Sequence, residues 1–248
     1  MNKITLLGNH ISQPSRAIMW FLLLNNIPFD FKLIKLEKGE HRSETYKTIN
    51  PMQQIPALTI TSDKETVSLF ESQAILMYLF HRYRKEYKIA GSWYPDPHSQ
   101  LLNHTKVNMY LNYHNSTLRS GIAGYVFDAF VGPSAFMLPK KDEQTLKALE
   151  KKAHRVLKAL DIYWLKDGPY LCGQAKITFA DLLCYSELMQ LLLLAPTMVN
   201  SLAESEIMKP YPNISKWLSI MHEIPHHAKV FEMLDILRSK AANRTSKL

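Results

Sequence analysis

A chain of 248 residues, 46% hydrophobic and 21% charged, has the balance of an ordinary globular protein and enough length for one large core or two smaller ones. Its opening, Met-Asn-Lys-Ile-Thr-Leu-Leu-Gly, lacks the apolar stretch and cleavage site of a secretory leader, and the longest apolar run, Ala17 to Leu24, is far too short for a bilayer. Lys plus Arg number 30 against 22 Asp plus Glu, a net charge of +8, but these basic residues are scattered, so the reading is a solvated basic surface, with no nucleic acid and no membrane as partner.

Cys172 and Cys184 form no Cys-x-x-Cys pair and stand among apolar neighbours. They read as buried reduced thiols, which points to a cytoplasmic setting. The histidines show no zinc-binding spacing, so no metal site is predicted. His226-His227, beside Pro225, reads as a loop pair. Asn-x-Ser/Thr sequons at Asn103, Asn115, Asn213 and Asn243 read as chance matches without a leader.

In chain order, Ile4 to Leu7 predicts a short strand and residues 14–25 a helix. Phe29 to Leu36 alternates apolar and polar residues as a strand does. Residues 37–50 are polar, with Lys38, Gly39 and His41. Ala57 to Ile60 and Thr66 to Phe70 read as strands around the turn Thr61-Ser62-Asp63-Lys64, and a helix begins at Glu71-Ser72 and runs to about Tyr83. The order βαβ(α)ββα describes a small α/β unit. Residues 86–98, with Gly91, Pro95 and Pro97, read as a linker. The remainder is helical, with amphipathic patterns over 100–120 and 141–166 and a loop predicted from Val131 to Pro139. Thr178 and Asp181 have capping-box spacing, with Ile177 and Leu182 as a hydrophobic staple.

Three short motifs carry chemistry. Ser12-Gln-Pro-Ser-Arg-Ala17 puts Pro14 in a first helical turn and Ser12 at the helix mouth, where orphan N–H groups stabilise an anion such as a thiolate. The alternative is that Ser12 or Gln13 only caps the helix. In Gln54-Ile55-Pro56-Ala57, the residue before proline is held extended and the bond is a candidate for cis, so Ile55 can pair with a peptide ligand as an added strand. The alternative is an edge-strand proline. In Glu71-Ser72-Gln-Ala-Ile75, the carboxylate can accept from a ligand ammonium while Ser72 and the helix N-terminus donate to its carboxylate. The alternative is acidic bias at a helix start. Lys38 and His41 can meet a second carboxylate, or simply be a solvated loop.

Together these motifs suggest a short peptide with an ammonium, two carboxylates and a central thiol, which is glutathione. At this point the chain resembles the glutathione transferases, most closely the theta class. The resemblance rests on Ser12 to Ala17, Lys38 to His41, Asn50 to Leu58 and Glu71 to Ile75, with Trp93-Tyr94-Pro95 and Thr117-Leu118-Arg119 further on. It implies a thioredoxin-like glutathione-binding domain (βαβαββα) over 1–85, a linker over 86–98 and an all-helical domain over 99–248 that lines the electrophile site. It implies a serine-type enzyme that conjugates glutathione, its co-substrate, to small electrophiles including halogenated ones. Ser12 would stabilise the thiolate. Ile55 would be the backbone partner, Glu71 with Ser72 the γ-glutamyl clamp, and His41 and Gln54 would face the glycine end. Arg119 would be the pocket arginine. A cytoplasmic homodimer is the implied form.

Departures from the theta pattern bear on substrate range. Gln54 stands where a Lys is common, the stretch Arg84 to Ser92 is longer than usual, and no Trp-bearing tail follows the helix at Val230 to Arg238. A fairly open pocket is expected. The competing readings are a non-catalytic interaction module of the same fold and a glutathione-dependent thiol reductase or membrane-inserting relative. The intact Ser12, Ile55, Glu71 and Ser72 set argues against the first, and the absence of a Cys at Ser12 or Ser15 against the second.

Overall fold

The computed structural model describes residues 2–194 and 201–245. The chain divides into two compact units, Met1–Trp93 with Pro225–Met233, and Tyr94–Ile224 with Leu234–Leu248.

The first unit is built on strands β1 (Lys3–Gly8), β2 (Asp30–Leu33), β3 (Ala57–Thr61) and β4 (Thr66–Phe70) in the order β2-β1-β3-β4. β1 runs parallel to β2 and antiparallel to β3, which is antiparallel to β4. Helix α1 (Gln13–Leu24) makes the crossover that a parallel β1–β2 pair requires. The short α2 (Glu44–Lys47) precedes β3, and α3 (Ser72–Tyr83) follows β4. This is the thioredoxin-like βαβαββα order.

The two central strands, β1 and β3, are buried on both faces. Leu6 and Leu58 are fully buried, while Leu7 and Ala57, on the opposite face, form a cluster with Ile34 and Tyr46. Every residue of α1 from Ser15 to Leu22 is buried. Trp20 Nε1 donates to the Pro225 carbonyl at 2.7 Å and its ring meets Phe231 edge-on at 5.4 Å, which ties α1 to the segment that returns from late in the chain.

Two departures from the sequence reading occur here. The strand expected over Phe29 to Leu36 is shorter, because the Lys35 N–H donates to Glu40 Oε2 at 2.8 Å and the chain leaves the ladder. The polar stretch that follows is ordered as two 3₁₀ turns, Leu36–Lys38 and Glu40–Arg42, joined at Gly39, whose φ of 68° is left-handed. Ser43 then caps α2, its Oγ accepting from the Tyr46 N–H at 3.2 Å.

The second unit is helical. Helix α4 (Leu101–Tyr113) continues through a π-helical turn, His114–Leu118, into α5 (Arg119–Val126). A second π-turn, Phe127–Val131, leads to α6 (Gly132–Ala135), so most of the loop predicted from Val131 to Pro139 is helix. Pro133 signalled a breaker but is taken into the helix directly after the π-turn. Helix α7 (Glu143–Ala159) is capped by Asp142, whose Oδ1 accepts from the Thr145 N–H at 2.8 Å, and it ends in a third π-turn, Leu160–Trp164.

Helix α8 (Phe179–Leu188) begins at the predicted capping box, with Thr178 Oγ1 accepting from the Ala180 N–H and Asp181 Oδ2 accepting from the Thr178 N–H at 2.8 Å. Asp181 Oδ1 also accepts from the Leu171 N–H and Trp217 Nε1, so the buried carboxylate is a hub as well as a cap. Cys172 and Cys184 are buried free thiols. Helices α9 (Pro212–His222) and α10 (His227–Thr245) complete the chain. His227, read from sequence as half of a loop pair, opens α10 and is buried, its ring stacked on Phe231 at 4.8 Å. Among the described residues no helix is long and apolar enough to cross a membrane.

Candidate active site

Sheet register brings the motif residues of the first unit together. Leu7 pairs with Ala57, and Ala57 pairs with Phe70, so the end of β1, the start of β3 and the end of β4 lie in one row at one edge. Gly8 pairs with Leu33, which puts the end of parallel β2 there too. The segments carrying Ser12, His41, Gln54-Ile55 and Glu71-Ser72 all leave the sheet at this edge.

Ser12 is the N-cap of α1 and partly exposed. Its Oγ accepts from the Ser15 N–H at 3.4 Å and from the Ser15 hydroxyl at 2.9 Å. The capping role weighed for Ser12 is therefore present. With its acceptor side engaged, the Ser12 hydroxyl keeps its own proton for a ligand. No anionic side chain stands in the first turn of α1, so the helix itself does not offset its positive end.

Asn9 organises the loop before Ser12, a role that sequence reasoning missed. Its carbonyl accepts from the Ser12 N–H at 2.9 Å and its Oδ1 from the Ile11 N–H at 3.1 Å, while Nδ2 donates to the Ile34 carbonyl at 3.0 Å. Arg16, fully buried, donates through Nη1 to the His10 carbonyl at 3.2 Å and lies over the Phe231 ring.

The Ile55–Pro56 bond is cis. The carbonyl just before it, on Gln54, accepts from Tyr46 Oη at 2.8 Å and from Asn50 Nδ2 at 2.7 Å. Burial pushes the Tyr46 phenol up to about 12, which keeps it a neutral donor. Asn50 is buried, and its Oδ1 accepts from the Met52 N–H at 3.0 Å. Ile55 packs against the Leu7, Ile34, Tyr46 and Ala57 cluster. Outside the strand ladder its N–H and C=O have no partner among the described residues. The Gln54 side chain is exposed.

Glu71 has φ 66° and ψ 108°, a sparsely populated conformation for a residue with a side chain, and is exposed. Such strain is held where the surrounding structure imposes it, and it clusters at ligand clamps. Its carbonyl accepts the Ile75 N–H at 2.9 Å, and Ser72 is the first residue of α3. In the turn after β2, His41 has a buried Nδ1 with no hydrogen-bond partner. Burial and then Arg42 hold its imidazole below the usual histidine range, so it is a neutral group near pH 7. Lys38 is exposed.

Arg119 belongs to the second unit, at the start of α5. Its Nη1 donates to Glu187 Oε2 at 3.0 Å, and the Glu187 side chain is wholly buried. No cluster of His, Cys, Asp and Glu suited to a metal ion occurs among the described residues.

The profile of the Glutathione S-transferase, N-terminal domain matches residues 2–81, and that of the Glutathione S-transferase, C-terminal domain matches residues 118–225. Glutathione S-transferase T1 of Arabidopsis thaliana is 32% identical over 237 residues, which cover 94% of this chain and 90% of the relative. The chain belongs to the glutathione S-transferase family.

Within the family the similarity is to the theta class. Glutathione S-transferase theta-1 of Mus musculus is 34% identical over 179 residues, covering 72% of this chain and 69% of that one. The crystal structure of human glutathione transferase theta-2, in complex with glutathione and an unknown ligand, aligns with TM-score 0.79 at 26% identity, over 98% of this chain and 91% of that one. A human theta-class glutathione transferase in complex with the glutathione conjugate of 1-menaphthyl sulfate aligns with TM-score 0.76 at 27% identity and the same coverage.

Proposed function

We propose that this edge of the sheet binds glutathione as co-substrate, activates its thiol and transfers it to small electrophiles, halogenated compounds among them. The observation that carries the reading is Ser12. Its oxygen accepts from Ser15 and its remaining proton is available at the positive end of α1. A cysteine thiol has a pKa near 8.5 and reacts as its thiolate. A hydroxyl donor and a helix N-terminus favour the thiolate, each unit of lowering being worth about 1.4 kcal/mol. The ligands bound by the human theta-class relatives support the same substrate.

In this scheme Ile55 pairs with the peptide backbone of glutathione, Glu71 accepts from its ammonium, and Ser72 with the α3 N-terminus donates to the neighbouring carboxylate. His41 and Gln54 face the glycine carboxylate as neutral groups. The thiolate sulfur bonds to the electrophilic carbon, and the leaving group departs with its electron pair. Ser12 donates a hydrogen bond and forms no covalent bond. Arg119 is assigned to the electrophile site. Its bond to Glu187 uses one of five N–H donors, leaving others for a departing anion.

The test is the pH dependence of thiolate absorbance with bound glutathione, followed by turnover against an electrophile panel. Ser12→Ala is expected to lower turnover roughly ten- to a hundredfold at neutral pH, with less loss at high pH. No binding of glutathione at millimolar concentration would overturn the reading.

We also propose a homodimer, and the cytoplasm as its place of action. A fluorescent fusion tests the location, and a diffuse cytoplasmic signal supports it while a punctate signal overturns it.

A further inference from the structure

The Ser12 hydroxyl is the front member of a short hydrogen-bond chain. Behind it, Ser15 is almost wholly buried at 1% exposure, so its hydroxyl cannot exchange partners with water. Ser15 Oγ receives the Asn9 N–H at 3.4 Å and donates to Ser12 Oγ at 2.9 Å, and the Ser15 N–H points at the same oxygen from 3.4 Å. Every donor in this set faces forward, from the Asn9 backbone through Ser15 to Ser12.

The packing behind Ser15 holds it in this place. An added Cβ at Gly8 would come within 2.6 Å of Ser15 Oγ and 3.0 Å of Ser15 Cβ. Gly8 closes β1 at the site edge, so the absence of a side chain there is what lets Ser15 reach Ser12.

We propose that Ser15 is a positioning residue of the thiolate site. It fixes the Ser12 proton outward and, by donating to Ser12 Oγ, makes that hydroxyl a stronger donor. Two physical effects contribute. A hydroxyl whose acceptor side is occupied has fewer rotor positions for its proton, and hydrogen bonds in series polarise one another by about 10–30% each. Ser15 touches neither the thiol nor the electrophile, so its influence reaches the reaction only through Ser12. The inference rests on the assignment of Ser12 above.

The experiment is the apparent pKa of the thiol of bound glutathione, read from thiolate absorbance across pH, with glutathione affinity measured calorimetrically. The parent is compared with Ser12→Ala, Ser15→Ala, Ser15→Cys and the double variant Ser12→Ala/Ser15→Ala. Ser12→Ala is expected to raise the thiol pKa by about one to two units. Ser15→Ala is expected to raise it by roughly half a unit, about a threefold loss of thiolate below the pKa, with glutathione affinity changed less than twofold. Ser15→Cys, which keeps size but donates weakly, should fall between Ser15→Ala and the parent. The double variant should match Ser12→Ala alone.

A thiol pKa in Ser15→Ala equal to the parent's, while Ser12→Ala shifts it, overturns the inference and leaves the Ser12 assignment standing. A Ser15→Ala effect that persists in full on the Ser12→Ala background marks a merely structural role and also overturns it. No shift in Ser12→Ala sinks the underlying assignment itself. Should Ser15→Ala not fold, Ser15→Cys carries the same comparison.

Discussion

The guanidinium of Arg119 donates to the carboxylate of Glu187 at 3.0 Å, joining the first residue of α5 to the penultimate residue of α8. Glu187 is completely buried while Arg119 keeps about a third of its side-chain surface, 36%, exposed. The arginine therefore has a structural duty independent of any substrate. Losing Arg119 takes the guanidinium away from a carboxylate that is wholly buried, where charge is costly to hold. Arg119→Ala is expected to cost roughly 3 kcal/mol of stability, seen as a lower denaturation midpoint, with Arg119→Lys recovering part. Well below that midpoint, losses that differ among electrophiles support the electrophile-site assignment. Losses equal for all of them would leave only the structural duty. Glutathione binding should be retained, because its contacts are assigned to the other unit.

Glu71 separates stability from binding. Its left-handed φ of 66° is unfavourable for a side-chain-bearing residue but open to glycine. Glu71→Gly should be at least as stable as the parent while raising the half-saturating glutathione concentration about tenfold. Ser72→Ala should raise that concentration with little change in maximal rate if the proposed clamp contact forms before reaction. Saturation curves for both variants check this, and a pure rate loss at unchanged affinity would count against the clamp.

Asn50 supports the turn before the cis Ile55–Pro56 bond from behind. Asn50→Ala leaves the Gln54 carbonyl with Tyr46 alone and strips the Met52 N–H of its acceptor. The expected cost is about 1–3 kcal/mol by chemical denaturation, accompanied by weaker glutathione binding. Tyr46→Phe should show the same pattern at a smaller amplitude. Weaker binding at unchanged stability would instead give Asn50 a direct ligand contact.

His114, in the first π-turn, controls the acid limb. Burial, and then the nearby Arg119, bring its pKa down to about 3, while an unfolded histidine titrates near 6.5. Between those values the unfolded chain binds a proton that the folded chain does not, so stability falls as pH falls, by up to about 1.4 kcal/mol per unit. The window runs from about 6.5 down to about 3. From pH 7 to pH 5 this amounts to ~2 kcal/mol, and His114→Phe should lose that slope. Denaturant titrations at the two pH values measure it. An unchanged slope in the variant would show that other groups set the acid limb.

The sequence by itself determined what is local. The Thr178–Asp181 box, the Ser12 cap before Pro14 and the β3–β4 hairpin each involve residues a few positions apart, where backbone geometry sets the outcome. The motif order also carried the family. Composition misled where a local signal competed with its surroundings. Gly132 and Pro133 spell a loop, yet the helix runs through them by way of a π-turn. Only the tertiary structure decided the rest. The row Leu7–Ala57–Phe70 gathers segments that are up to 63 positions apart, and no local pattern encodes that register. Asn9 reaches the Ile34 carbonyl, Ser15 fills the space that Gly8 leaves open, and Arg119 finds Glu187 across 68 positions. Hydrogen bonds and ion pairs depend on distance and orientation in space, so those partners emerge only once the chain has packed.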